Sequence, residues 1–104
     1  MATYTGIVTA KTAALAAATE DRVQFSRSVR MVAITNHSAA DTIYYTVDAT
    51  AAVSAGDNVR VLRPGVSRIV SDKVGPGTQE RTITEVRLIS AGTPTYTVEV
   101  EEPF

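Results

Sequence analysis

An alternation of apolar and polar residues runs through Thr95-Tyr96-Thr97-Val98-Glu99-Val100-Glu101, in the last part of a chain of 104 residues. A period of two is typical of a β-strand that has one face in a core and the other in solvent. The pattern predicts that Tyr96, Val98 and Val100 face inward, while the Thr and Glu side chains face water.

Similar patterns recur along the chain, separated by turns rich in Gly, Pro, Asn and Asp. In Asp41-Thr42-Ile43-Tyr44-Tyr45-Thr46-Val47-Asp48, the adjacent Tyr44 and Tyr45 are expected on opposite faces of one strand. The remaining predicted strands cover residues 22–25, 29–35, 59–62, 66–70 and 82–89. Residues 29–35 are the most continuously apolar, as expected for a central strand.

The order of these strands predicts three hairpins, because each pair is separated by a short turn. Residues 29–35 would pair with 42–47, residues 59–62 with 66–70, and residues 82–89 with 95–101. Pro64-Gly65 suits the two central positions of a type II turn. About seven short strands predict an all-β domain over residues 21–104, an antiparallel β-sandwich of the jelly-roll or immunoglobulin-like type.

Residues 1–20 differ in composition from the rest, since Ala and Thr dominate them. They hold few large apolar side chains, and an isolated helix of this length would be marginal in water. Three alternatives follow: a short Ala-rich helix, an extended N-terminal arm that becomes ordered against a neighbouring molecule, which we favour, or an edge strand of the same domain. The anchors of an arm would be Tyr4, Ile7, Val8 and Leu15.

Composition narrows the classes of partner. Ten Lys and Arg against 11 Asp and Glu give a net charge of −1, so no overall field would hold a nucleic acid. No apolar run is long enough to span a membrane, and the N-terminal residues lack the pattern of a signal peptide. The absence of Cys excludes disulfides and thiolate zinc sites.

Residues that could carry chemistry are few. His37 is the only histidine and lies in a predicted turn, where a solvated side chain is the simpler interpretation. Asp41, Asp48 and Asp57 lie in or beside predicted loops, but their spacing matches no calcium loop, and turn formation accounts for them. We therefore predict no catalytic residue, no metal, no cofactor and no enzymatic activity.

Arginine is the dominant basic residue, with eight copies against two lysines. Its planar guanidinium makes bidentate contacts and is common at protein interfaces. Arg22, Arg27 and Arg30 are therefore candidate contacts to a partner or a second subunit, together with the four N-terminal anchors. The alternative is charge on a solvated outer face.

The order of features along the chain suggests a family. An Ala/Thr-rich N-terminal stretch precedes a series of segments at residues 21–25, 32–36, 43–48, 61–65 and 86–92, which read DRVQF, VAITN, IYYTVD, VLRPG and VRLISAG. Tyr96-Thr97-Val98-Glu99-Val100 follows. This arrangement resembles small structural proteins of tailed bacteriophages, especially capsid decoration or cement proteins.

The resemblance implies a β-sandwich that docks on the outer surface of the assembled capsid, with the major capsid protein as its partner. It also implies a homo-oligomer, most often a trimer, that stabilises the shell against internal DNA pressure. The location would be the virion surface, and the host cytoplasm during assembly. Two alternatives are a carbohydrate-binding module that uses an exposed tyrosine, and a head–tail connector or tail component.

Overall fold

The computed structural model describes residues 2–48, 51–52, 59–71 and 83–101. These residues form nine β-strands and no helix, so the predicted all-β fold is confirmed, with two strands more than expected. The strands are β1 (Thr3–Ile7), β2 (Ala10–Ala14), β3 (Asp21–Val29), β4 (Met31–Asn36), β5 (Ile43–Thr46), β6 (Arg60–Leu62), β7 (Ser67–Ser71), β8 (Ile83–Ile89) and β9 (Thr95–Val100).

The strands form two sheets that pack as a sandwich. The five-stranded sheet has the order β1-β3-β8-β5-β6, and the four-stranded sheet has the order β2-β9-β4-β7. Neighbouring strands are antiparallel except for β1 and β3, which are parallel. The parallel pair departs from the predicted antiparallel arrangement. After β1, the chain crosses to the four-stranded sheet to form β2, and it then returns to the five-stranded sheet as β3, in the same direction as β1.

The structure places residues 3–14 at the edges of the sandwich and not in a separate arm. Strand β1 pairs with β3 in the five-stranded sheet, and β2 pairs with β9 in the four-stranded sheet. Leu15, directly after β2, is only 2% exposed and lies in the core. Packing of one buried side chain and pairing on both sheets thus tie this Ala-rich segment to its own domain.

The three predicted hairpins are wrong, although the strands that compose them are present. Each proposed pair is divided between the two sheets: β4, β7 and β9 lie in the four-stranded sheet, and β5, β6 and β8 lie in the five-stranded sheet. A short connection can cross the rim of a sandwich as readily as it closes a hairpin. Stacking the two strands buries the apolar face of each against the other sheet.

The core lies between the sheets and confirms the predicted facing of the side chains. In β9, Tyr96 and Val98 are fully buried, and Val100 packs against the core. Tyr45 is fully buried whereas Tyr44 is only partly buried, as expected for opposite faces. The rest of the core cluster consists of Leu15, Val23, Val29, Val32, Ile34, Ile43, Val47, Leu62, Val70, Ile83, Val86 and Leu88.

The predicted type II turn is present between β6 and β7. The backbone N–H of Val66 donates to the carbonyl of Arg63 at 3.2 Å, and Gly65 has a φ of +72°. That left-handed conformation favours glycine at the third position of the turn. The predicted loops at residues 48–58 and 71–81, with Asp57, lie largely outside the described residues.

Candidate functional site

The outer surface of the four-stranded sheet presents one side chain from every second residue of its strands. We call this surface the low-charge face. Its members follow from the alternation within each strand and the register between strands. They are Ala10, Thr12, Ala14, Met31, Ala33, Thr35, Ser67, Ile69, Ser71, Thr95, Thr97 and Glu99.

A row of four hydroxyl side chains crosses the low-charge face. The register aligns Thr12 with Thr97, Thr97 with Thr35, and Thr35 with Ser67. The Oγ1 atoms of Thr12 and Thr97 are 2.7 Å apart, and Oγ1 of Thr35 is 2.8 Å from Oγ of Ser67. Nε2 of His37 lies 2.8 Å from Oγ1 of Thr97, so the single histidine extends this hydroxyl row.

The neighbouring row is largely apolar. It consists of Ala10, Glu99, Ala33 and Ile69, in that order across the four strands. Glu99 is the only charged side chain among the strand positions of the low-charge face, and the exposed Glu101 continues the same alternation directly after β9. Ile69 is 63% exposed although it is large and apolar. The face is therefore a surface of mostly small, uncharged side chains with one exposed aliphatic residue and with acidic residues near one end.

The outer surface of the five-stranded sheet has the opposite character. Nε of Arg87 lies 2.6 Å from a carboxylate oxygen of Glu85, and its Nη1 lies 3.7 Å from Glu20. The same Glu20 oxygen is 3.5 Å from Nε of Arg22. The other carboxylate oxygen of Glu20 accepts a hydrogen bond from the backbone N–H of Ala52 at 2.7 Å. These charged groups are mostly shielded from solvent and already partner one another.

Tyr44 lies on this same outer surface. Its strand positions it between Ile89 and Val61, and its side chain is only partly exposed. A sugar-stacking platform needs an open aromatic face, which this packed position does not favour.

Four of the seven candidate contact residues are partly or fully buried within the domain. Leu15 lies in the core, so it is not available to a partner. Tyr4 and Ile7 pack against the core, and Nζ of Lys11 lies 4.3 Å from the centre of the Tyr4 ring. Arg22 belongs to the ion-pair network described above.

The other three candidates, Val8, Arg27 and Arg30, are exposed. Val8 is 65% exposed and lies in the bend that joins β1 to β2. The carbonyl of Thr9 accepts a hydrogen bond from the N–H of Val100, and the carbonyl of Met31 accepts one from the N–H of Glu101. Val8 and Arg30, each one residue from these carbonyls, therefore lie at one end of the sandwich, on either side of the end of β9.

A buried polar pair connects the two sheets. The hydroxyl of Tyr96 donates to a carboxylate oxygen of Asp21 at 2.9 Å, and Asp21 is only 2% exposed. Burial, followed by the hydrogen bond and the charge of Asp21, raises the pKa of Tyr96 far above its usual value. This phenol stays protonated at physiological pH and serves as a structural donor. The sequence indicated that Tyr96 faces inward but not that Asp21 would meet it.

The predicted turn residues support the loop at the other end of the sandwich. The carboxylate of Asp41 packs directly against Gly92, where a larger residue would meet it. The hydroxyl of Ser38 accepts from the backbone N–H groups of Ala40 and Asp41.

Within the described part of the chain, no group of three or more His, Cys, Asp or Glu side chains could hold a metal ion.

The fold and these surfaces define a small β-sandwich with two chemically different outer faces. Comparisons with protein-family models, with curated proteins and with solved structures find no match. In the described residues, there is also no helix long and apolar enough to cross a membrane.

Proposed function

We propose that the protein is a structural component of a tailed-phage virion, a decoration protein that binds the outer surface of the assembled capsid and stabilises it. The sequence resemblance suggests this class of protein. The observation that carries the proposal is the low-charge face, which offers a broad surface for a protein partner. The five-stranded sheet is less suited to docking because covering it would remove water from charged groups, which costs more than covering neutral side chains.

The composition of the low-charge face lowers the cost of covering it. Burying an unpaired charge is expensive, and Glu99 is the only charged side chain among the strand positions of this face. Ala, Ser and Thr also lose less side-chain entropy on burial than long polar residues do. The hydroxyls of the row already form hydrogen bonds with one another, so a protein can cover them without leaving all of them unpaired. Ile69 supplies an apolar anchor near one edge.

The size of the face implies that one copy binds weakly. Four strands of about five residues each, with every second side chain facing outward, cover roughly 300 Å². A stable interface usually buries about 800 Å² on each partner. We therefore expect several copies to act together, with one oligomer engaging repeated sites on the shell so that modest contacts add up. The trimer implied by the resemblance would meet this requirement.

We assign contacts between copies, or to an adjacent capsid subunit, to the end of the sandwich that carries Val8, Arg27 and Arg30. This end is separate from the centre of the low-charge face, so both regions can be occupied at once. Measurement of the mass in solution distinguishes a trimer from a monomer, or from the larger ring that a head–tail connector would form.

Co-sedimentation tests the proposal directly. Purified protein is mixed with capsid shells assembled without it, and separately with unassembled capsid subunits. We expect the protein to sediment with the shells and not to bind the free subunits. Failure to sediment with shells would overturn the proposal.

A matched pair of variants tests which face docks. Ile69→Glu places a charge on the low-charge face, whereas Val61→Glu places the same charge on the outer surface of the five-stranded sheet, where Val61 is 41% exposed. Ile69→Glu should weaken the binding of each copy to the shell by tenfold or more, which corresponds to about 1.4 kcal/mol or greater. Val61→Glu should leave binding unchanged. The reverse order would assign docking to the other sheet.

A further inference from the structure

The hydroxyl of Tyr45 is a buried polar group without a hydrogen-bond partner among the described residues. The side chain is fully buried in the core, and its oxygen forms no hydrogen bond with any of these residues. It is the only buried side-chain oxygen or nitrogen in this condition among the described residues. Buried hydroxyls are normally paired, because an unpaired one loses its hydrogen bonds to water without compensation.

Two arginines lie on the same inward side of their sheets as this hydroxyl. Arg60 is the direct cross-strand neighbour of Tyr45, and Arg68 is the neighbour of the fully buried Ile34. Neighbours across a ladder project to the same face. Both arginines are nevertheless exposed, because β6 and β7 are the last strands of their sheets.

Among the described residues, no strand pairs with the outer edge of β6 or of β7, and we call the side of the sandwich that these two strands share the open side. The turn at residues 63–66 joins them directly, so Arg60 and Arg68 lie on either side of the gap between the sheets. Both guanidinium charges act on the phenol of Tyr45 and lower its pKa, although burial has the larger effect and raises it overall. Within the described part of the chain, neither arginine has an ion pair with an acidic side chain.

The chemistry of these three groups is one-sided. Each guanidinium carries five N–H donors and no acceptor, and the phenol has a hydrogen to donate. The complement of such a set is a small anion with several acceptor oxygens. Guanidinium groups match the planar or tetrahedral oxygens of carboxylate and phosphate particularly well.

We propose that the open side between β6 and β7 is a binding site for a small oxyanion, a phosphate or a carboxylate. Arg60 and Arg68 bind its oxygens from the two sheets, and the hydroxyl of Tyr45 donates one further hydrogen bond. Because this hydroxyl is closed to bulk water, binding requires a local rearrangement of the site. The ligand links the edges of the two sheets and satisfies the unpaired hydroxyl.

Titration of the isotope-labelled full chain, followed by NMR, tests the site. Sodium phosphate, sodium acetate and sodium chloride are compared at equal ionic strength. We expect saturable shifts of the backbone resonances of Tyr45, Arg60 and Arg68 with an oxyanion and not with chloride. Saturation by phosphate alone identifies a phosphate site, and tighter binding of acetate identifies a carboxylate site. Equal, unsaturated shifts with all three salts would overturn the proposal.

Charge-matched variants separate the site from general attraction to a positive surface. Arg60→Gln and Arg68→Gln should each weaken oxyanion binding roughly tenfold or more, because each removes charge-assisted hydrogen bonds. Arg63→Gln is the control, since it removes the same charge from the exposed turn between the two strands. An equal loss in the control would mean that the ion binds only through net charge, and would overturn the proposal.

Tyr45→Phe provides a test that does not depend on the arginine variants folding. Without oxyanion, this variant should be at least as stable as the wild type, since it removes an unpaired hydroxyl. Saturating oxyanion should then stabilise the wild type more than the variant, because the ligand binds the wild-type folded state more tightly. An identical response of the two proteins to phosphate and to acetate would remove Tyr45 from the site.

Discussion

Substitution of Asn36 provides a strong test of how the two sheets are held together at one end. Asn36 is the last residue of β4 and is 1% exposed. Its Nδ2 donates to the carbonyl of Asp41 at 2.7 Å and approaches those of Leu62 and Arg63 at 3.2 and 3.4 Å. Its Oδ1 accepts from the N–H of Ser38 at 3.0 Å. One amide thus joins the four-stranded sheet to the end of β6 in the other sheet.

The expected cost follows from these bonds. Asn36→Ala removes two donated bonds and one accepted bond, at about 1 kcal/mol each, so the free energy of unfolding should fall by about 3 kcal/mol. With a urea m-value of about 1.5 kcal/mol/M, the unfolding midpoint should fall by about 2 M. His37→Ala is the control, because this neighbour is exposed and should change stability by less than about 0.5 kcal/mol.

Asn36→Asp tests the direction of the bonds. It keeps the shape but turns a donor into a carboxylate oxygen that faces carbonyls. Burial and these carbonyls raise the pKa of the new carboxyl in the folded state above its unfolded value of about 3.9. The deficit relative to wild type should therefore be small near pH 3.5 and should grow as the pH rises towards 7. A loss below 1 kcal/mol for Asn36→Ala, or a pH-independent deficit for Asn36→Asp, would refute the role of this amide.

Two further predictions concern the core. Because burial raises the pKa of Tyr96 in the folded state, its contribution to stability is complete below about pH 10 and is lost at about 1.4 kcal/mol per pH unit above that. Tyr96→Phe should lower the free energy of unfolding at pH 7. Between pH 10 and 11, the free energy of unfolding measured with urea should fall less steeply for this variant than for the wild type. Parallel declines would contradict this assignment. Leu15→Ala should lower the free energy of unfolding by about 3 kcal/mol, whereas Val8→Ala should change it by less than about 0.5 kcal/mol. Similar losses would contradict the integration of Leu15 into the core.

The sequence was sufficient for the orientation of side chains within each strand, but not for the partner of each strand. Alternation depends on the backbone of one strand alone. It correctly assigned Tyr96 and Val98 to the interior and placed Tyr44 and Tyr45 on opposite faces of their strand. Pairing depends on where the connection leads. The five residues between β8 and β9 could close a hairpin, but they cross from one sheet to the other.

Residues 3–14 were difficult to assign for a different reason. Their side chains are mostly small, so alternation produces little contrast between two faces. Their strand structure comes from ladders with β3 and β9, which are distant in the chain. The low-charge face could not be predicted either, because its hydroxyl pairs are distant in the sequence. Thr12 and Thr97 are 85 residues apart, and Thr35 and Ser67 are 32 apart. Only the register between strands brings these hydroxyls into one row.

The two buried tyrosines show how the same residue type can have different roles in one core. Tyr96 and Tyr45 are both fully buried, but of the two only Tyr96 has an acceptor within the described residues, Asp21. An unpaired buried hydroxyl costs about 1–3 kcal/mol, a considerable fraction of the 5–15 kcal/mol that typically stabilises a domain. Phenylalanine would fill nearly the same volume at position 45 without that cost. The hydroxyl of Tyr96 therefore serves the fold itself, whereas that of Tyr45 becomes favourable when an acceptor is supplied between Arg60 and Arg68.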